Sequence, residues 1–195
     1  MNALSQLSLC PSLSFLYLGN CSQLTDTALH ALADKLTSLR VVDLRGCRGI
    51  SADGVVALLR ASPHVHTLSL AHVPMVTDAV LERIAQTLLA LHVLDLSGCI
   101  KVTSAGVQNL ARHPIHALDL ACTAISFRGC CAIANYLCTT LQQVSLNFCS
   151  DVNDECVKKL LQKCKVLTRI SVFGCSYVRN FEMFKKINRN VVIES

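Results

Sequence analysis

Three rows of side chains with chemical potential recur at nearly constant spacing along the chain. Asp43, Asp95 and Asp119 each stand one residue after a central apolar residue, Val42, Leu94 and Leu118. Carboxylates brought close together exchange protons, and such pairs serve in general acid–base work. His66, His92 and His116 form a second row, and stacked imidazoles have the chemistry to share a metal or sense pH. The third row is cysteine, with twelve in 195 residues. Cys21, Cys47, Cys99, Cys149 and Cys175 recur at one place in the pattern, and Cys10, Cys138 and Cys164 at another.

Each row has a plainer reading. The aspartates lack a partner nucleophile, a glycine-rich phosphate loop and an enclosed pocket, so they read as a polar binding row or as solubility. The histidines read as a solvated edge ladder. No C-x-x-C spacing occurs, so metal and redox roles lack their usual signature. The cysteines read as small buried apolar side chains, kept reduced in the cytosol or nucleus. No catalytic, cofactor-binding or metal-ligating residue is therefore assigned, and no cofactor is expected.

The elements that position these rows follow from one repeating unit, L-x-x-L-x-L-x-x-C and a short helix. Its central apolar residues are Leu16, Val42, Leu68, Leu94, Leu118, Val144 and Ile170, spaced 26, 26, 26, 24, 26 and 26 apart. A fixed period of 20–29 residues with this consensus is the signature of leucine-rich repeats. In residues 39–64, Leu39, Val42 and Leu44 face inward from a short strand, and Cys47 and Ile50 turn the chain inward again. Ser51 is the expected N-cap, with Asp53 in the first turn. Val55, Leu58 and Leu59 then close the outer layer, and Ser62-Pro63 ends the helix. Thr25-Asp26, Thr77-Asp78, Thr103 and Asn153-Asp154 are the matching caps. Val73-Pro74 and Thr123 replace the cysteine in two units. The 24-residue spacing falls at Arg112-His113-Pro114, where a local change of curvature is expected.

The expected fold is thus α/β: one leucine-rich-repeat solenoid over 1–195, a right-handed horseshoe with about seven parallel strands on its concave side and helices on its convex side. Leu4 and Leu7 read as the remains of a repeat helix, so the chain is expected to start partway through a repeat. After Cys175 no helix cap stands in the usual place, and 167–195 reads as a truncated closing repeat ending in an extended Val191-Val192-Ile193.

Composition excludes other classes. Apolar residues make up 52% and charged residues 16%, and no uninterrupted run approaches the roughly 18 residues that span a bilayer. No signal peptide is read, and a cytoplasmic or nuclear protein without membrane contact is expected. Formal net charge is +5, and +4 of it lies in residues 151–195, with nine Lys/Arg against five Asp/Glu. That basic quarter reads as a solvated cap, with an acidic or nucleic-acid partner as the sharper alternative.

A repeat array is first a binding scaffold. Alternate strand residues face the groove, which selects Phe15, Tyr17, Asp43, Arg45, Asp95, Asp119, Arg169 and Phe173 as the partner-binding set. Aromatic and arginine side chains carry most interface energy where they are desolvated.

Residues 18–47 (LGNCSQLTDTALHALADKLTSLRVVDLRGC) resemble the cysteine-containing class of leucine-rich repeats. That resemblance implies the repeats of F-box/leucine-rich-repeat proteins, the substrate receptors of cullin ubiquitin ligases, which hold substrate on the concave side. Attachment to a ligase adaptor would then belong to an upstream region. Residues 141–193, with LQQVSLNFCSDVNDECVKKLLQKCKVLTRISVFGCSYVRNF and a closing VVI, resemble the end of the leucine-rich-repeat subunit of global-genome nucleotide excision repair. A static adaptor in an axonemal or mitochondrial assembly, and a regulator of a small GTPase, are the alternative functions.

Overall fold

A computed structural model describes residues 10–195, so Leu4 and Leu7 lie outside the described residues. The described chain alternates β1 (Phe15–Tyr17), α1 (Asp26–Ala33), β2 (Val41–Asp43), α2 (Ala52–Ala61), β3 (Thr67–Ser69), α3 (Asp78–Thr87), β4 (Val93–Asp95), α4 (Ser104–Gln108), β5 (Ala117–Asp119), α5 (Phe127–Tyr136), β6 (Gln143–Ser145), α6 (Asp154–Lys163), β7 (Arg169–Ser171), α7 (Phe181–Ile187) and β8 (Val192–Glu194). The strands form one parallel sheet in chain order. Each repeat is therefore laid beside the last, and the fold is a leucine-rich-repeat solenoid.

The central apolar residues pair in register across neighbouring strands, from Leu16↔Val42 to Ile170↔Ile193. They point into one continuous core between sheet and helices, where Leu16, Val42, Leu68, Leu94, Leu118, Val144 and Ile170 are all buried. No repeat could bury its apolar face alone, so stacking supplies the stability.

The helix starts fall at the expected residues. Thr25, Ser51, Thr77, Thr103 and Asn153 are N-caps whose side chains accept a backbone N–H from the first turn. The first-turn carboxylates also reach the next repeat. Asp26 accepts from Ser51 N–H, Asp78 from Thr103 N–H and hydroxyl, and Asp154 from Arg179 and Asn180 N–H. These contacts stitch one helix start to the following one.

Three expectations need correction. The sheet has eight strands, because Val192–Glu194 pairs fully with β7. The closing repeat has a helix, α7, capped by Asn180, whose side chain accepts from Met183 N–H. This cap comes one position later after the central strand residue than Asn153 does, which hides it from a fixed period. The cysteine rows are also not uniformly buried: Cys10 is exposed, and Cys21 and Cys138 are half-buried. The buried members show what burial requires. The thiols of Cys47, Cys99, Cys149 and Cys175 donate to Leu18, Leu70, Leu120 and Leu146 O in the preceding repeat. Among the described residues Cys21 has no preceding repeat to donate to.

The shortened repeat is also local. Its helix α4 has 5 residues, where α2 and α3 have 10. His113 fills the space beneath, buried, with Nε2 2.9 Å from Ala85 O.

Candidate partner-binding face

The strands present short polar side chains to the concave side because period-two alternation puts every second residue there. The three aspartates first serve the backbone. Asp43 Oδ1 accepts from Arg45 N–H (3.0 Å), Asp95 Oδ1 from Ser97 N–H (3.0 Å), and Asp119 Oδ1 from Ala121 N–H (2.9 Å). Each carboxylate thus closes the turn that leaves its strand, as Asp does in turns elsewhere.

Beyond the turn the three differ. Asp43 is buried and takes Arg45 in a forked ion pair, with Nε at 2.8 Å and Nη2 at 2.7 Å from Oδ2. The hydrogen bond and then the charge of Asp43 raise the Arg45 guanidinium above its ordinary value. Asp95 accepts additionally from the Ser97 and Ser69 hydroxyls. Burial, and to a lesser degree the Asp95 charge, push the Asp119 carboxyl above its ordinary value. The Ala121 N–H and the nearby Ser145 hydroxyl oppose that shift. The Ser145 oxygen is itself shut from solvent without a well-directed hydrogen bond.

A concave cavity of about 400 Å³ lies across β4–β8, lined among others by Asp95, Asp119, Gln143, Asn147, Arg169 and Glu194. The structure therefore brings Asp95, Asp119 and Arg169 together. Phe173 stands three residues beyond Ile170, in the turn that leaves β7 at the border of the cavity, 45% exposed, and its N–H donates to Asn147 Oδ1. Phe15 and Tyr17, 58% and 65% exposed, lie on β1, Asp43 ends β2, and Arg45 lies in the turn that leaves it. Those four are separate from the cavity.

Two residues of this face escaped sequence reasoning. Glu194 lines the cavity and lies 3.7 Å from Arg169, but only the eighth strand puts it there. Phe148 is 63% exposed with φ +57°. It occupies a turn position that is Gly46, Gly98 and Gly174 in other repeats. That glycine recurrence was the available signal.

The other rows do not form a site of their own. The rings of His92 and His116 stand 4.9 Å apart and those of His66 and His92 6.2 Å apart. Among the described residues no group of three or more His, Cys, Asp or Glu is placed to hold a metal. Burial raises the thiols of Cys99 to about 11 and Cys164 to about 12, which leaves them protonated and unreactive. Among the described residues, no helix is long and apolar enough to cross a membrane.

Comparison with known proteins agrees with this architecture. A family model described as Leucine Rich repeat matches residues 35–59. The chain is similar to a crystal structure of the Rad7 and Elc1 complex in yeast, with 19% identity and a TM-score of 0.75, over 87% of this chain and 44% of that one. It is also similar to the TLR13–ssRNA13 complex, with 18% identity and a TM-score of 0.62, over 89% of this chain and 27% of that one. The chain thus spans less than half the length of either, and what is shared at these identities is the leucine-rich-repeat fold.

Proposed function

We propose that this chain is a non-catalytic protein-binding scaffold that holds its partner on the concave face, as the substrate-binding repeat module of a cullin-type ubiquitin ligase or repair-associated complex. The observation that carries the reading is the in-register parallel sheet, which holds Tyr17, Asp95, Asp119 and Arg169 on one face, with Phe173 in the turn that leaves β7. Side chains fixed by a scaffold need little ordering on binding, and exposed aromatics supply desolvation energy. The likeness to a protein solved in complex with Elc1 supports a role within an assembly. The resemblance of residues 141–193 to a repair subunit points the same way.

The test is affinity capture with the full chain, followed by cross-linking and mass spectrometry. Ligase components among the captured proteins, with cross-links near the concave residues, are expected. Tyr17→Ala, Asp95→Asn and Phe173→Ala should each weaken capture without lowering the melting temperature. Cross-links confined to the convex helices, with capture unaffected by all three substitutions, would overturn the concave assignment. Capture of a small GTPase or of a fixed structural assembly in place of ligase components would replace the ligase reading.

A further inference from the structure

The charges on the concave face are unevenly engaged. Asp43 is neutralised by Arg45 on its own strand exit. Asp95 and Asp119 are paired neighbours on β4 and β5, about 4.8 Å apart by strand spacing. No basic side chain forms an ion pair with either among the described residues. The cation in the cavity, Arg169, is drawn to Glu194 at the far end. The cavity is therefore acidic at β4–β5 and balanced at β7–β8. A phosphate backbone would meet two carboxylates at its centre. The basic side chains Lys158, Lys159 and Lys163 lie on α6, in the helical layer away from the groove.

The remaining polar groups suit a peptide. Asn147 Oδ1 accepts from the Ser171 hydroxyl and Phe173 N–H, both at 2.8 Å, so its amide nitrogen is left to donate. Gln143 is exposed beside it. Phe173 offers an apolar surface at the border, and Phe148 extends that lip, lying over Gly174.

We propose that this cavity takes an extended segment of a protein partner, with a lysine or arginine side chain between Asp95 and Asp119 and an apolar side chain against Phe173. This rests on the concave-face reading and adds a sequence rule to it. Phe173 lies two strands over and two residues along from Asp119, a diagonal of about 12 Å at ordinary sheet spacings. Extended chain rises about 3.3 Å per residue, so the two anchors fall three to four positions apart.

The test uses the full chain and fluorescein-labelled nonapeptides of Ser and Ala bearing one Lys and one Leu three or four positions apart. Fluorescence anisotropy should show saturable binding that is weakened about tenfold when Lys becomes Glu, and weakened again by raised salt. Asp119→Asn keeps the Oδ1 acceptor for Ala121 while removing the charge, so the fold should persist by circular dichroism. It should weaken the Lys peptide about tenfold and bind the Glu peptide no more weakly than before, so that the gap between the two peptides narrows. Phe173→Ala should reduce the advantage of Leu over Ser at the second anchor. Equal affinity for Lys and Glu peptides, or no saturable binding of any Lys–Leu peptide, would overturn the proposal. A partner segment cross-linked to this cavity but lacking basic residues would sink the sequence rule alone. Cross-links only on the convex helices would sink the concave reading with it.

Discussion

Asp119 illustrates how one carboxylate carries two opposed roles. Its Oδ1 closes a turn, yet burial beside Asp95 disfavours its charge. A carboxyl whose folded value is raised stabilises the fold fully below its unfolded value, and that contribution is lost as pH rises through the folded value. Asp119→Asn should therefore raise the melting temperature at pH 7. The gain should shrink towards zero as pH falls below about 4, the unfolded value of an aspartate. Melting curves across that range check both the sign and the window. The turn row sets a second constraint at this scale. Gly98 has φ +71°, and a Cβ there would meet the His72 ring. Gly98→Ala should cost at least about 1–2 kcal/mol from the left-handed backbone alone, read as a lower denaturant midpoint. His72→Gly in the same background should recover part of the loss, because it removes the ring and leaves only the backbone strain.

Among the elements, the strands are only three residues long, so each depends on its neighbours. Leu94 sits at the centre of β4, 1% exposed, and pairs between Leu68 and Leu118. Leu94→Ala should destabilise by about 2–5 kcal/mol through lost burial and the cavity left behind. Because array stability sums neighbour terms, the lesion should loosen both adjacent repeats, visible as faster amide exchange in β3 and β5. Seven strands and five helix caps were legible in the sequence because apolar period and capping chemistry coincide in those five repeats. Asn180 was not, because its cap is displaced by one residue and its helix is short. The forked pair of Asp43 with Arg45 was legible in principle, since an aspartate that closes a turn two residues on brings the side chain of that residue within reach. Glu194 and the extent of the cavity were not: the closing Val191-Val192-Ile193 reads as extended, but nothing in it marks its pairing with β7 through Glu194.

For the molecule as a whole, the cysteine rows report the integrity of the stack. Cys47, Cys99, Cys130, Cys149, Cys156, Cys164 and Cys175 are buried. Brief iodoacetamide treatment of the native protein should modify Cys10 and Cys122 first, then the half-buried Cys21, Cys131 and Cys138. The seven buried thiols should label together only on unfolding, and intact mass over a denaturant series measures this. Four of them donate to the preceding repeat's carbonyl, so these four are not freed without separating layers, and the other three are buried in the same core.

The contacts between successive turns carry a consequence for how the array is built. Asn20 lies over Gly46 and His72 over Gly98, while on the helical side Asp26 lies over Gly54 and Asp78 over Gly106. Both rows alternate a protruding residue with a bare one, in the same phase, so in this half of the molecule the structural unit is a doublet of repeats. Two excisions of equal length should then behave unequally. Removing residues 46–71 sets Asn20 against His72 and Asp26 against Val80, a collision in both rows. Removing residues 72–97 sets Gly46 against Gly98 and Ala52 against Gly106, a collision in neither. The second shortened chain should melt higher than the first, although each loses one repeat. Growth of such an array by copying a single repeat that carries Asn20 or His72 would meet the same obstacle, whereas copying doublets would not.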